Sequence, residues 1–209
     1  MNATPAAEKA HAGITLDRGS TRHQADDEIG VFGFWTFMMS DVIIFVLLFA
    51  TYGVLVRNTA HGPDASSIFS LPMTAVETAL LLTSSLTFGL ASANLKAKRQ
   101  DRVVLWLAVT FAFGALFLGF EIHEFAGAFA KGATPQVSGF LSGWFTLVAT
   151  HSLHVAIGLG WIGLMLVQLF VLGSTADVER RLLRLGIFWH LLDIIWIGIF
   201  SFVYLGGLA

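Results

Sequence analysis

Asp41, Glu77, Glu121, Glu124 and Asp193 all lie inside long apolar runs of this sequence, and His151, His154 and His190 lie there with them. An Asp-type charge costs roughly 2.5–3.5 kcal/mol at the centre of a membrane helix on insertion scales. Groups kept at that cost are used, or are shielded by something else. Three pairs, Glu121/Glu124, His151/His154 and His190/Asp193, have i,i+3 spacing. Each pair therefore shares one helical face. Two chemistries fit such faces: holding and passing protons, or hydrogen bonding between helices. Two glutamates on one face repel if both ionise, so one of Glu121 and Glu124 is expected to be neutral or paired.

Other chemistries fail on the residues themselves. The chain has no cysteine, which removes disulfides, thiolate metal sites, Cys-ligated iron–sulfur clusters and c-type haem attachment. Gly158, Gly160 and Gly163 form a G-x-G-x-x-G string. It lacks the preceding strand and the following acidic residue of a dinucleotide site, and its glycines are expected to let helices approach closely. Glu121-Ile-His123-Glu124 is not the H-E-x-x-H of a zinc protease. The only Glu-x-x-His, Glu8 to His11, lies in a polar tail. Trp35, Trp106, Trp144, Trp161, Trp189 and Trp196 read as packing or interface anchors. His123 and His151 fall at comparable depth and leave open a single bis-His haem, as in a b-type cytochrome anchoring a dehydrogenase. A small proton or solute carrier is a further reading of the carboxylates.

The elements that must hold these residues follow from composition. The chain has 209 residues, 56% hydrophobic and 12% charged, against about 25% charged in soluble domains. It reads as an all-α polytopic membrane protein. Apolar stretches run over 31–56, 71–93, 103–129, 140–172 and 182–205, each long enough for a crossing helix. Residues 1–30 are polar, lack the apolar core of a signal peptide and read as a flexible tail, with 31–209 the membrane domain. A turn is expected at His61-Gly62-Pro63-Asp64, and Asp177 is expected to cap the fifth helix. Ten of the twelve Lys and Arg residues fall in the tail and in the second and fourth connections. The positive-inside rule then puts the N-terminus in the cytoplasm and the C-terminus in the periplasm. An odd helix count argues against a simple inverted-repeat transporter. The net charge of −2 suggests no nucleic-acid partner.

A rise of 1.5 Å per residue sorts the polar groups by depth. Asp41, His190 and Asp193 come out about 12–17 Å from the cytoplasmic side, a layer expected to join helices one and five or to face a partner subunit. Glu77, Glu121, Glu124, His151 and His154 come out about 26–32 Å in, a cluster or lipid cleft in the outer half.

Four stretches carry a family likeness, and a fifth, Phe120–Phe125 (FEIHEF), resembles that family's paired-glutamate segment. The four are Phe32–Asp41 (FGFWTFMMSD), Val76–Ser85 (VETALLLTSS), Thr150–Val155 (THSLHV) and Phe188–Trp196 (FWHLLDIIW). Taken together they resemble subunit III of the haem–copper terminal oxidases, on the side of the bacterial cytochrome o ubiquinol oxidases. The likeness covers nearly the whole chain from Ile29 to Leu208. The resemblance implies a non-catalytic subunit of a proton-pumping quinol oxidase in the bacterial inner membrane, with subunits I, II and IV as partners. It implies no cofactor or metal in this chain, with haems and copper in subunit I. It implies stabilisation of subunit I, bound phospholipid, and support of proton supply or oxygen access. It also implies that Glu77 is the family's carbodiimide-reactive carboxyl.

Overall fold

The structure is a computed structural model that describes residues 18–59 and 70–208. Glu8, His11 and the expected turn at His61–Asp64 lie outside the described residues, as does the side chain of His23. Regular structure among the described residues is entirely helical. The elements are α1 (Arg18–Leu55), α2 (Leu71–Lys96), α3 (Gln100–Ala130), α4 (Gly139–Leu172) and α5 (Ala176–Ile199). A π-helical turn, Phe200–Leu205, and the short α6 (Gly206–Leu208) follow α5. Five helices are long and apolar enough to cross a membrane.

The chain divides into two units at Ser40/Asp41. In the first unit the helix begins at Arg18, well ahead of the apolar stretch at Val31. The tail expected over residues 1–30 is therefore helical from Arg18 onward. No proline lies between Arg18 and Leu55, so none breaks the ladder there. The Thr36 and Ser40 hydroxyls donate back to the carbonyls of Phe32 and Thr36, as hydroxyls do where the surroundings offer no water.

In the second unit each helix start has a local cause. α2 opens with Pro72 in its first turn, where the missing N–H costs nothing. Ser138 caps α4, its hydroxyl accepting from the Leu141 amide at 3.2 Å. α5 starts at Ala176, ahead of the apolar stretch at 182. Its cap is Thr175, which accepts from the Val178 amide at 3.4 Å, and not Asp177. Asp177 and Glu179 sit instead in the first turn, where negative charge suits the helix dipole. Asp177 there accepts from Arg180 at 2.5 Å. Between α2 and α3 the chain reverses through Lys98 at φ 57.

α2 and α3 pack along their length. α4 packs on α3 and α5, and α5 closes back onto α2. The end of α1 meets α4: the Phe140 amide donates to the Asn58 carbonyl at 3.0 Å, and Tyr52 lies against Phe140. Polar side chains stitch the helices. Thr87 and Thr110 share a hydrogen bond at 2.8 Å across α2 and α3. Trp189 and Trp196 on α5 donate their indole N–H groups to Ser84 and Thr78 on α2, each at 3.1 Å. Both indoles are buried, so these tryptophans are core braces.

One glycine of the G-x-G-x-x-G string does what close packing needs. A β-carbon on Gly158 would lie 2.9 Å from the Trp189 ring, and so would one on Gly114 of α3. Trp189 thus lies between two glycine-lined helices. A β-carbon on Gly160 meets nothing within 4 Å. Gly158→Ala is therefore expected to cost about 1–3 kcal/mol through overpacking. Gly160→Ala should leave stability unchanged or raise it by a few tenths. Thermal melting of the solubilised protein separates the two.

Candidate functional site

Glu77 on α2 and Glu121 and Glu124 on α3 converge. One carboxylate oxygen from each lies within 4.8 Å of the others. Glu77 and Glu121 are fully buried and Glu124 half-buried. Glu121 and Glu124 lie one turn apart on α3, and the tight α2–α3 packing brings Glu77 to them. Two hydroxyls from later elements close the site. Ser152 on α4 donates to Glu121 Oε2 at 3.0 Å. Tyr204, fully buried in the π-helical turn, donates to Glu124 Oε2 at 2.8 Å. Both Glu77 oxygens and Glu121 Oε1 lack a hydrogen-bond partner among the described residues.

Three oxygens are the donor type of a hard cation, but such ions take about six to eight ligands, and two of these carboxyls already accept from hydroxyls. Three carboxyls at this distance can hold and exchange protons. No nucleophile–base pair accompanies them. Tyr204 was invisible in the sequence: a tyrosine near the end of an apolar run reads as an interface anchor. Only the π-helical winding, which buries Val203 and Tyr204 together, turns it inward.

His151 does not join this cluster through any hydrogen bond. It is fully buried and both ring nitrogens lack partners. Its ring stacks on Trp196 at 5.3 Å and meets Phe117 and Phe45 edge-on at 6.1 and 6.3 Å. It behaves as one more aromatic plate of the core. His123 is exposed on α3. A haem plane between these two histidines would have to displace the rings that enclose His151, so the bis-His reading fails.

The depth layers also need correction. His154 Nε2 lies 3.6 Å from Asp41 Oδ1, so Asp41 joins α1 to α4, and not to α5. The count went astray because α4 runs 34 residues, about 51 Å at the helical rise. Its ends overshoot the hydrocarbon, so depth measured from one end misplaces its middle. His154 Nδ1–H donates to the Thr150 carbonyl at 2.7 Å, which leaves Nε2 for Asp41. A proton on either partner lets the two atoms close into a hydrogen bond.

His190 and Asp193 stay together on α5, with Nδ1 and Oδ2 4.0 Å apart. Ser85 of α2 shares a hydrogen bond with the same Nδ1 at 2.5 Å. Both partners meet one ring nitrogen, so this Ser–His–Asp set is not the relay of a hydrolase, which uses both.

Two outcomes are expected. Tyr204→Phe strips the half-buried Glu124 carboxyl of its donor, at about 1 kcal/mol. Glu124→Gln keeps an acceptor and should cost less, as read by thermal denaturation of the solubilised protein. Carbodiimides reach buried carboxyls from the lipid side. Glu77 has no exposed surface, whereas 8% of the Asp41 side chain is exposed. If exposure decides the reaction, peptide mapping by mass spectrometry is expected to find the adduct on Asp41 before Glu77. An adduct on Glu77 first is what the family likeness implies and would show that exposure does not decide it.

Comparison with known proteins agrees with this architecture. The family model for cytochrome c oxidase subunit III matches residues 18–208. Cytochrome bo(3) ubiquinol oxidase subunit 3 of Pseudomonas aeruginosa is 47% identical over 94% of this chain and 95% of its own. Its Pseudomonas putida counterpart is 48% identical over 86% and 87%. Quinol oxidase subunit 3 of Bacillus subtilis is 39% identical over 87% and 89%. With that match spanning all five crossing helices, the chain belongs to the cytochrome c oxidase subunit III family.

Proposed function

We propose that this chain is the non-catalytic subunit III of a ubiquinol-oxidising haem–copper oxidase. It would sit in the bacterial inner membrane with its N-terminus in the cytoplasm, beside subunits I, II and IV. The observation that carries this is near full-length similarity to quinol oxidase subunits 3 from distant bacteria. Its polar groups support a holding role. Among the described residues Ser152 and Tyr204 donate to Glu121 and Glu124, Ser85 bonds His190, and His151 packs against rings. The haems and copper of oxygen reduction belong to subunit I, and this chain stabilises that subunit from the side.

Grooves on the surface support the lipid part of this role. One of about 500 Å³ is lined by Phe49, Tyr52, Gly53, Val56, Gly198 and Phe202, an apolar wall fitted to acyl chains. Another, of about 330 Å³, carries Ser70, His123, Glu124 and Lys131 at the ends of α2 and α3, where polar headgroups lie. Through Glu124 this second groove borders the buried carboxyl cluster, a short route for protons between the surface and Glu77.

Gentle solubilisation of native membranes tests the assignment. The chain is expected to co-isolate with a larger haem-bearing subunit, and to show no Soret band when purified alone. Recovery free of any such partner, or a haem spectrum lost in His123→Ala, would overturn it.

A further inference from the structure

The search of the molecule returns most often to His190. It lies about 21 Å from the start of α5 and about 22 Å from the end of the π-helical turn, at the helical rise. The first turns of α5 are charged as far as Arg184, so the depth is counted from the apolar stretch that begins at 182: His190 lies about 12 Å inside it, within the hydrocarbon layer. Yet 48% of its side chain is exposed. An imidazole is too short to reach a headgroup layer from there, unlike a lysine or arginine near a helix end.

Its surroundings are apolar. Along α5 the exposed residues Leu183, Ile187, Ile194 and Ile197 continue the same stripe, at the alternating spacing of four and three that marks one helix face. On α2 the exposed Gly89 lies one turn beyond Ser85 on the same face, and a β-carbon on it would meet nothing within 4 Å. A glycine facing open space on a membrane helix leaves room for another helix backbone to come close.

The ring is also held in place. Ser85 hydrogen-bonds Nδ1 at 2.5 Å, the Asp193 carboxyl stands 4.0 Å from the same atom, and Phe88 meets the ring edge-on at 5.9 Å. Nε2 has no hydrogen-bond partner among the described residues. A polar atom fixed within that layer on an exposed face cannot be satisfied by hydrocarbon. Lipid tails offer nothing to it. A protein helix does, through a polar side chain or a backbone carbonyl freed at a kink.

We propose that the face of α2 and α5 centred on His190 is the docking surface for a transmembrane helix of another oxidase subunit, with His190 Nε2 hydrogen-bonded to a polar group of that helix. The inference rests on the assignment to an oxidase complex and locates one contact within it. Leu183, Ile187, Ile194 and Ile197 supply the apolar contact. Gly89 supplies the close approach. Asp193 and Ser85 hold the imidazole so that Nε2 is presented to the partner.

Photo-crosslinking in native membranes tests the surface. Benzoylphenylalanine is placed at Ile187 or at Ile194 in the assembled oxidase, which is irradiated before solubilisation. The expected result is an adduct with another oxidase subunit, mapping to a membrane-spanning peptide. Adducts with lipid alone from both positions, in a complex that still co-isolates, would overturn the docking surface and leave the family assignment standing. Failure to co-isolate with any haem-bearing subunit would remove both. A second measurement reads the hydrogen bond. His190→Phe should release most of the chain from the complex in detergent, whereas His190→Gln should retain it. Equal retention of the two variants would remove the hydrogen bond from the proposal, whatever the crosslinks show.

Discussion

Within a bilayer a polar group must find its partner inside the protein, because hydrocarbon provides none. Most contacts between the helices of this chain answer that constraint, and Glu77 and His151 stand apart from it, without a hydrogen-bond partner among the described residues. Hydroxyls of serine and threonine bond back to their own helix. Indole N–H groups of Trp189 and Trp196 cross from α5 to hydroxyls on α2. Carboxyls gather where helices meet, and the aromatic rings of Phe117, Phe45 and Trp196 enclose a histidine whose nitrogens have no partner. The polar residues are fasteners first. Their number reflects the scarcity of other directional contacts between membrane helices, where apolar burial alone gives little preference for one neighbour over another.

The tryptophan braces show how packing and hydrogen bonding reinforce each other. Trp189 reaches Ser84 only because Gly114 and Gly158 leave room for its ring. Gly186, a turn earlier on α5, likewise lies against Phe88 of α2. Small residues on one helix and large flat ones on the next set the separation of the helices. That separation in turn sets where Glu77 stands relative to Glu121 and Glu124.

The five crossings were legible because hydropathy over about 20 residues is a strong signal. Helix starts were not, at Arg18 and Ala176, because polar residues continue a helix without changing that signal. The i,i+3 glutamates on α3 were legible as one face, and the tight pairing of α2 with α3 brings Glu77 to them. Asp41 and His154 were separated by a depth count that a helix longer than the bilayer defeats. Tyr204 needed a π-helical turn that nothing in Phe200–Leu205 announces. The pattern is physical. Periodicity along one helix can be read from sequence, whereas contacts between helices depend on tilt, overshoot and local winding.

The carboxyl site is also spread along the chain in a telling order. Its three glutamates sit on α2 and α3, which are synthesised before α4 and α5. Its two hydroxyl donors, Ser152 and Tyr204, arrive on α4 and after α5. For part of its biosynthesis, then, the α2–α3 hairpin carries its three acids without Ser152 and Tyr204. Such a hairpin should dwell at the insertion machinery, or lean on water or an early partner, until α4 enters. The order of the donors makes assembly of this site a clock for membrane insertion, completed only when the turn bearing Tyr204 folds over Glu124.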